Sequence, residues 1–146
     1  MAVPRRTLEM APRGEGIDHV TLTVGDQRAA RRFYELALRP LGFSVVFDWP
    51  DGARTYLGLS PDTSSLWLVQ GSDARHGAVS LAAPDRTAVD AFYAAALAAG
   101  GHGISAPAAR PEHTRSTYAA EVLDPDGNAV EAICWNAGPV AAEHAA

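Results

Sequence analysis

The sequence predicts an α+β protein of two tandem βαβββ modules, whose strands form a cup-shaped, eight-stranded mixed sheet with the helices outside. Three observations predict it. A strand, helix and three further strand-like runs occur twice in 146 residues. Setting residues 19–43 against 78–102, an offset of 59, gives nine identities in 25 pairs, including Asp26/Asp85, Phe33/Phe92, Tyr34/Tyr93 and Gly42/Gly101. Alanine richness does not produce the Phe-Tyr pair or the matching aspartates. Third, 47% hydrophobic and 20% charged residues make an ordinary folded composition, which excludes disorder of the whole chain. The pattern divides the chain into a flexible segment (1–15), a first module (16–71), a second module (72–135) and a tail (136–146).

Each element has its own signal. Residues 17–24, IDHVTLTV, alternate polar and apolar and are β-branched, as a half-buried strand requires. Asp26 is the N-cap of a helix through DQRAARRFYELALRPLG, with Ala29, Ala30, Phe33, Leu36, Ala37 and Leu41 on one face and Gly42 at its stop. Strands follow at 43–49, 53–59 and 65–70, separated by Pro50-Asp51-Gly52 and Ser60-Pro61-Asp62 turns. The second module repeats this with a strand at 78–83, a helix from Asp85 to Gly100-Gly101 and a weaker strand at 102–106. A Pro/Arg-rich loop, APAARPEH, leads to a closing hairpin of 116–123 and 128–135 around Asp124-Pro125-Asp126-Gly127. The repeated Phe33-Tyr34 and Phe92-Tyr93 read as packing, and Cys134 as a small core residue on the helix side.

Composition removes several functions. A net charge of −5 gives no electrostatic reason to expect nucleic acid or an anionic membrane as partner. No apolar run is long enough to span a bilayer, and the opening residues lack the apolar core of a secretory signal, so a cytoplasmic protein is expected. All 12 basic residues are arginine, which excludes Schiff-base chemistry on lysine and a lysine-bearing phosphate loop. One cysteine excludes an intrachain disulfide.

DHVTL opening one module and LDPDGNAVEAI closing the other resemble the vicinal oxygen chelate superfamily over about residues 16–135. This superfamily includes glyoxalase I, bleomycin-resistance proteins, extradiol dioxygenases and fosfomycin-modifying thiol transferases. The resemblance implies a cup whose inner face holds a divalent metal (Zn, Fe, Ni or Mn), with ligands from the first and last strands of each module. Transferred to this chain, it implies His19 and Glu131 as ligands, with Glu131 able to detach as a catalytic base. Strand alternation agrees, because His19, Thr21 and Thr23 share one face and Glu131, Ile133 and Trp135 share another. A Glu131 inside an apolar strand also needs a partner: a metal, an arginine, or water at an edge.

Two positions depart from the family pattern. The offset puts Ala78 where the second histidine belongs, with His76 two residues earlier on the same strand face. Either that ligand has been lost and His76 sits on the rim, or extra residues between strand and helix let His76 reach the metal. Aligning the Ser60 and Asp124 turns puts Trp67 opposite Glu131, where a carboxylate is usual. The metal set is then His19, His76 and Glu131, with open positions for substrate. Thr21, Trp67, Tyr118 and Trp135 are candidates for the pocket wall, with Arg110 and His113 in the loop above it.

Two functions follow from the resemblance. One is a divalent-metal-dependent lyase, isomerase or oxygenase acting on a small oxygenated substrate. The alternative is a metal-free, bleomycin-resistance-like protein that sequesters a small aromatic molecule in an acidic, tryptophan-lined groove. The expected partners are that small molecule and a second copy of the chain, as a homodimer.

Overall fold

The computed structural model describes residues 16–59, 65–72 and 76–138. The readings of 1–15 as a flexible segment and of Ser60-Pro61-Asp62 as a turn lie outside those residues. The elements run β1 (Val20–Val24), α1 (Gln27–Ala37), β2 (Ser44–Asp48), β3 (Arg54–Gly58), β4 (Leu66–Gln70), β5 (Ala78–Ala82), α2 (Arg86–Ala98), β6 (His102–Ala109), β7 (Tyr118–Leu123) and β8 (Ala129–Cys134). They are the two βαβββ modules of the α+β prediction. Their strands form two four-stranded mixed sheets, ordered β1-β4-β3-β2 and β5-β8-β7-β6. In each, the first strand runs parallel to the last and the remaining pairs are antiparallel.

Both helices begin where the aspartates predict. Asp26 accepts from the Ala29 amide at 3.0 Å and Asp85 from the Ala88 amide at 2.8 Å, each satisfying a free N–H of the first turn. α1 stops at Ala37 rather than running to Gly42. Pro40 cannot continue an α-helix, so Arg39–Leu41 tighten into a 3-10 turn that ends on Gly42 at φ 85°. The buried face of α1 is also rotated from the expected one. Ala30, Phe33, Tyr34 and Ala37 are buried, while Ala29 and Leu36 face outward.

β6 runs three residues beyond its expected end and takes in Pro107. Proline is tolerated here because β6 is an edge strand and its register slips between Ser105 and Ala108. The start of the expected tail, at Ala137 and Gly138, is docked. Ala137 N donates to Ser116 O, and Arg86 donates to Gly138 O.

α1 packs on β3 and β4, α2 packs on β6, β7 and β8, and the two helices pack on each other. The core therefore lies between helices and sheets: Leu22, Val24, Leu66, Leu68, Leu81, Val130, Ala132 and Cys134 meet Phe33, Tyr34, Val89 and Phe92. The opposite faces of both sheets lie on the side away from the helices. They form the cup.

Candidate functional site

Strand parity assigns each residue to the cup or to the core. In β1 Leu22 and Val24 are core, so His19, Thr21 and Thr23 face the cup; in β5 Leu81 is core, so Ala78, Ser80 and Ala82 face it. Thr21 pairs with Trp67 and Trp67 with Tyr56 across the first sheet. Ser80 pairs with Glu131 and Glu131 with Glu121 across the second. These rows are equivalent in the duplicated fold. One module places a threonine, an indole and a phenol where the other places a serine and two carboxylates.

The first wall is a ring ladder. His19 stacks on Trp67 with centroids 3.4 Å apart and planes 10° from parallel, and Tyr56 stacks on it at 4.3 Å and 17°. Because β4 lies between β1 and β3, Trp67 is held between an imidazole from one side and a phenol from the other. Both of its faces are therefore covered. Tyr56 passes the contact to Phe47 and Trp49, and the Arg54 guanidinium lies 4.2 Å from the Trp49 ring centre.

The second wall is small and acidic. Ala78, Val79, Ser80, Glu121, Ala129 and Glu131 line a recess of about 220 Å³. The Ser80 hydroxyl donates to Glu131 Oε1 at 2.6 Å, so the partner expected for Glu131 is a serine from the neighbouring strand. Glu121 was not foreseen, although the sequence held its signal. A hairpin closing on Asp124-Pro125-Asp126-Gly127 fixes the pairing that sets residue 121 opposite 131.

The predicted metal ligands are not brought together. No group of three or more His, Cys, Asp or Glu side chains among the described residues could hold a metal ion. His19 Nδ1 is 2.7 Å from Asp18 Oδ1 while its ring lies flat on Trp67. His76 precedes β5 and packs against Gly127, lining a cavity that Glu131 does not. β5 starts at Ala78 and the Asp85 cap follows in the same register as Asp26, with no insertion between them that would bring His76 forward. The donor set therefore does not fit a divalent ion.

The remaining candidates divide. Thr21 is exposed on the cup face beside Trp67. Trp135 is 49% exposed at the end of β8 and meets His113 edge-on, with centroids 5.7 Å apart, at the rim. Arg110 begins the turn that carries His113, through His113 N donating to Arg110 O. Tyr118 is a correction. It shares a strand face with Ala120 and Val122, donates to Asp90 of α2 at 2.8 Å and lies under Arg86, so it belongs to the helix side and not to the pocket. Burial and the Asp90 carboxylate together raise its pKa.

Comparison with known proteins agrees with this architecture. A family model described as the Glyoxalase/Bleomycin resistance protein/Dioxygenase superfamily matches residues 16–132. No match was found among curated proteins. A glyoxalase/bleomycin resistance protein from Albidiferax ferrireducens is similar in structure, with 27% identity, a TM-score of 0.68 and coverage of 80% of this chain and 97% of that one. A glyoxalase-related enzyme from Fulvimarina pelagi shares the fold at 23% identity and a TM-score of 0.64, covering 82% and 88%. A Zea mays glyoxalase I mutant is 26% identical with a TM-score of 0.60, over 80% of this chain and 45% of that one. No helix of the described residues is long and apolar enough to cross a membrane.

Proposed function

This chain belongs to the glyoxalase/bleomycin resistance protein/dioxygenase superfamily, and from that premise we propose that it is a metal-free binding protein that holds a small cationic molecule with an aromatic body in its cup. The observation that supports this most is the contrast at equivalent positions, Trp67 and Tyr56 on one wall against Glu131 and Glu121 on the other. Two carboxylates set directly opposite each other repel, and a cation placed between them relieves that repulsion. Ring edges carry partial positive charge, so they favour the face of an aromatic ligand. The ligand thus lies with its ring on the Trp67 ladder and its charge in the acidic recess.

The test is calorimetry with 2-naphthylmethylammonium and its neutral isostere, 2-naphthylmethanol. The cation is expected to bind at least tenfold more tightly, and Glu131→Gln to remove the difference. Equal affinity for the two in the unaltered protein would sink the proposal.

The metal-dependent lyase, isomerase or oxygenase remains the second reading, supported by His19 and Glu131 standing at two of the family's ligand positions. That reading requires a divalent ion held at those two side chains. His19 and Glu131 alone are too few to hold it tightly, and their present partners are Asp18 and Ser80.

A further inference from the structure

We propose that the exposed side of α1 is a docking surface for an acidic peptide segment of a partner protein, one that carries an apolar residue among its carboxylates. This surface lies on the helix side of the first sheet, opposite the cup, and goes beyond the binding proposed there.

Positive charge is concentrated on α1 and the turn that follows it. Residues 27–39 hold four arginines and one glutamate, a net +3 in a chain of −5. Arg31 is engaged within the fold, by Glu35 and by Asp48, each at 2.9 Å. Arg28, Arg32 and Leu36 recur at every fourth residue and so stand on one stripe, which Arg39 continues in the 3-10 turn. The three arginines of the stripe are exposed, and Leu36 is 38% exposed between Arg32 and Arg39.

Local physics does not ask for these residues. A helix favours acidic side chains in its first turn, where the backbone dipole is positive. Past the Asp26 cap, the first turn of α1 has no acidic residue and holds Arg28. Arg28 and Arg32 also repel each other at i,i+4. The duplication supplies an internal comparison. At the offset of 59 the equivalent positions are Thr87, Ala91, Ala95 and Ala98, and α2 forms with none of them charged. The stripe therefore carries a repulsion that the fold does not need and that anionic groups from outside relieve.

Spacing selects the partner. Arg28 and Arg32 are about 6 Å apart along the helix axis, which matches carboxylates at i and i+4 of an opposing helix. Leu36 asks for an apolar side chain in line with those carboxylates. A nucleic-acid strand presents phosphates and leaves Leu36 uncovered. A long polyanion also runs onto the rest of a surface whose net charge of −5 opposes it, whereas a short segment stays on the stripe. A bilayer needs a wider apolar face than one leucine supplies.

The experiment is fluorescence anisotropy on the full chain with a rhodamine-labelled peptide of Glu-Glu-Leu-Ala repeats. Peptides of Gln-Gln-Leu-Ala and Glu-Glu-Ser-Ala repeats and an oligothymidylate of equal charge run alongside. The Glu-Glu-Leu-Ala peptide is expected to bind at least tenfold more tightly than the glutamine peptide, at least threefold more tightly than the serine peptide, and more tightly than the oligonucleotide. Arg28→Glu with Arg32→Glu is expected to remove that binding and to create affinity for Lys-Lys-Leu-Ala repeats, a gain that only a folded stripe can show. Thr87→Glu with Ala91→Glu, at the equivalent places on α2, is expected to leave binding of the acidic peptide unchanged. No affinity for that peptide, equal affinity for the glutamine or serine peptide, binding that survives the charge reversal, or tighter binding of the oligothymidylate would each overturn the inference. No cup residue takes part, so failure of the cup proposal does not decide this one.

Discussion

The Tyr34 hydroxyl on α1 donates a 2.7 Å hydrogen bond to Asp124 Oδ2 beyond the end of β7, joining the two modules through side chains that are 0% and 2% exposed. Asp124 also accepts from the amides of Asp126 and Asn128 and from the Asn128 side chain, while Asn128 donates to Thr23 O. The Asp-Pro-Asp-Gly turn is thereby both the end of one hairpin and the clasp between modules. Tyr93, at the equivalent place in α2, instead sets its hydroxyl over Gly103.

Tyr34→Phe removes one of four donors to Asp124 and is expected to destabilise the fold by about 1–2 kcal/mol. Asp124→Ala strands three other donors and is expected to cost about 3 kcal/mol or more. Chemical denaturation of the two variants checks the order. Equal costs would mean that the tyrosine, and not the turn, carries the clasp.

Burial, reinforced by the Asp124 carboxylate, raises the Tyr34 pKa well above its ordinary 10.0. The folded state therefore keeps this proton where the unfolded chain releases it. Its contribution is fully present below about pH 10 and declines as pH rises toward the folded value. The unaltered protein is expected to lose stability more steeply above pH 10 than Tyr34→Phe does. Parallel alkaline melts of the two check this.

Chelator treatment is expected to leave the melting temperature of the unaltered protein in place, because no three ligands converge among the described residues. Ala78→His with Trp67→Glu puts four family-type donors, with His19 and Glu131, at equivalent positions of the two modules. This variant is expected to gain near-stoichiometric zinc by elemental analysis, and to be stabilised by about 2.7 kcal/mol at a hundredfold excess over Kd. Metal retained by the unaltered protein and lost on Glu131→Ala would restore the enzyme reading.

Gly127→Ala combines a left-handed backbone with a Cβ 2.9 Å from the His76 ring. It is expected to cost about 1–3 kcal/mol. Adding His76→Ala should return only the steric part, leaving the backbone cost of about 1 kcal/mol. Full rescue would show that the ring contact is the whole effect.

Most of the fold was legible because periodicity, capping aspartates and turn residues agree locally. The helix start at Asp26, the core position of Cys134 and the repeat at an offset of 59 all follow from neighbours in sequence. The site was less legible because it depends on pairing between strands. The sequence reading sets Tyr118 at the pocket wall, whereas the hairpin register gives that place to Glu121 and turns Tyr118, three residues away, to the helices. Nor does sequence show that His19 lies flat on Trp67, since an imidazole at a ligand position looks the same whether it faces a metal or a ring.

The unequal walls of the cup would also fix how a guest of the proposed kind is held. A duplicated fold with matching halves presents one surface twice, so a ligand can enter in either of two mirror-ordered poses. That degeneracy favours binding by RT ln 2, about 0.4 kcal/mol, but leaves the guest's two ends indistinguishable. With rings on one side and carboxylates on the other, the poses are no longer equivalent, and a ligand with unlike ends adopts a single direction. Divergence between the halves has exchanged a small statistical advantage for polarity.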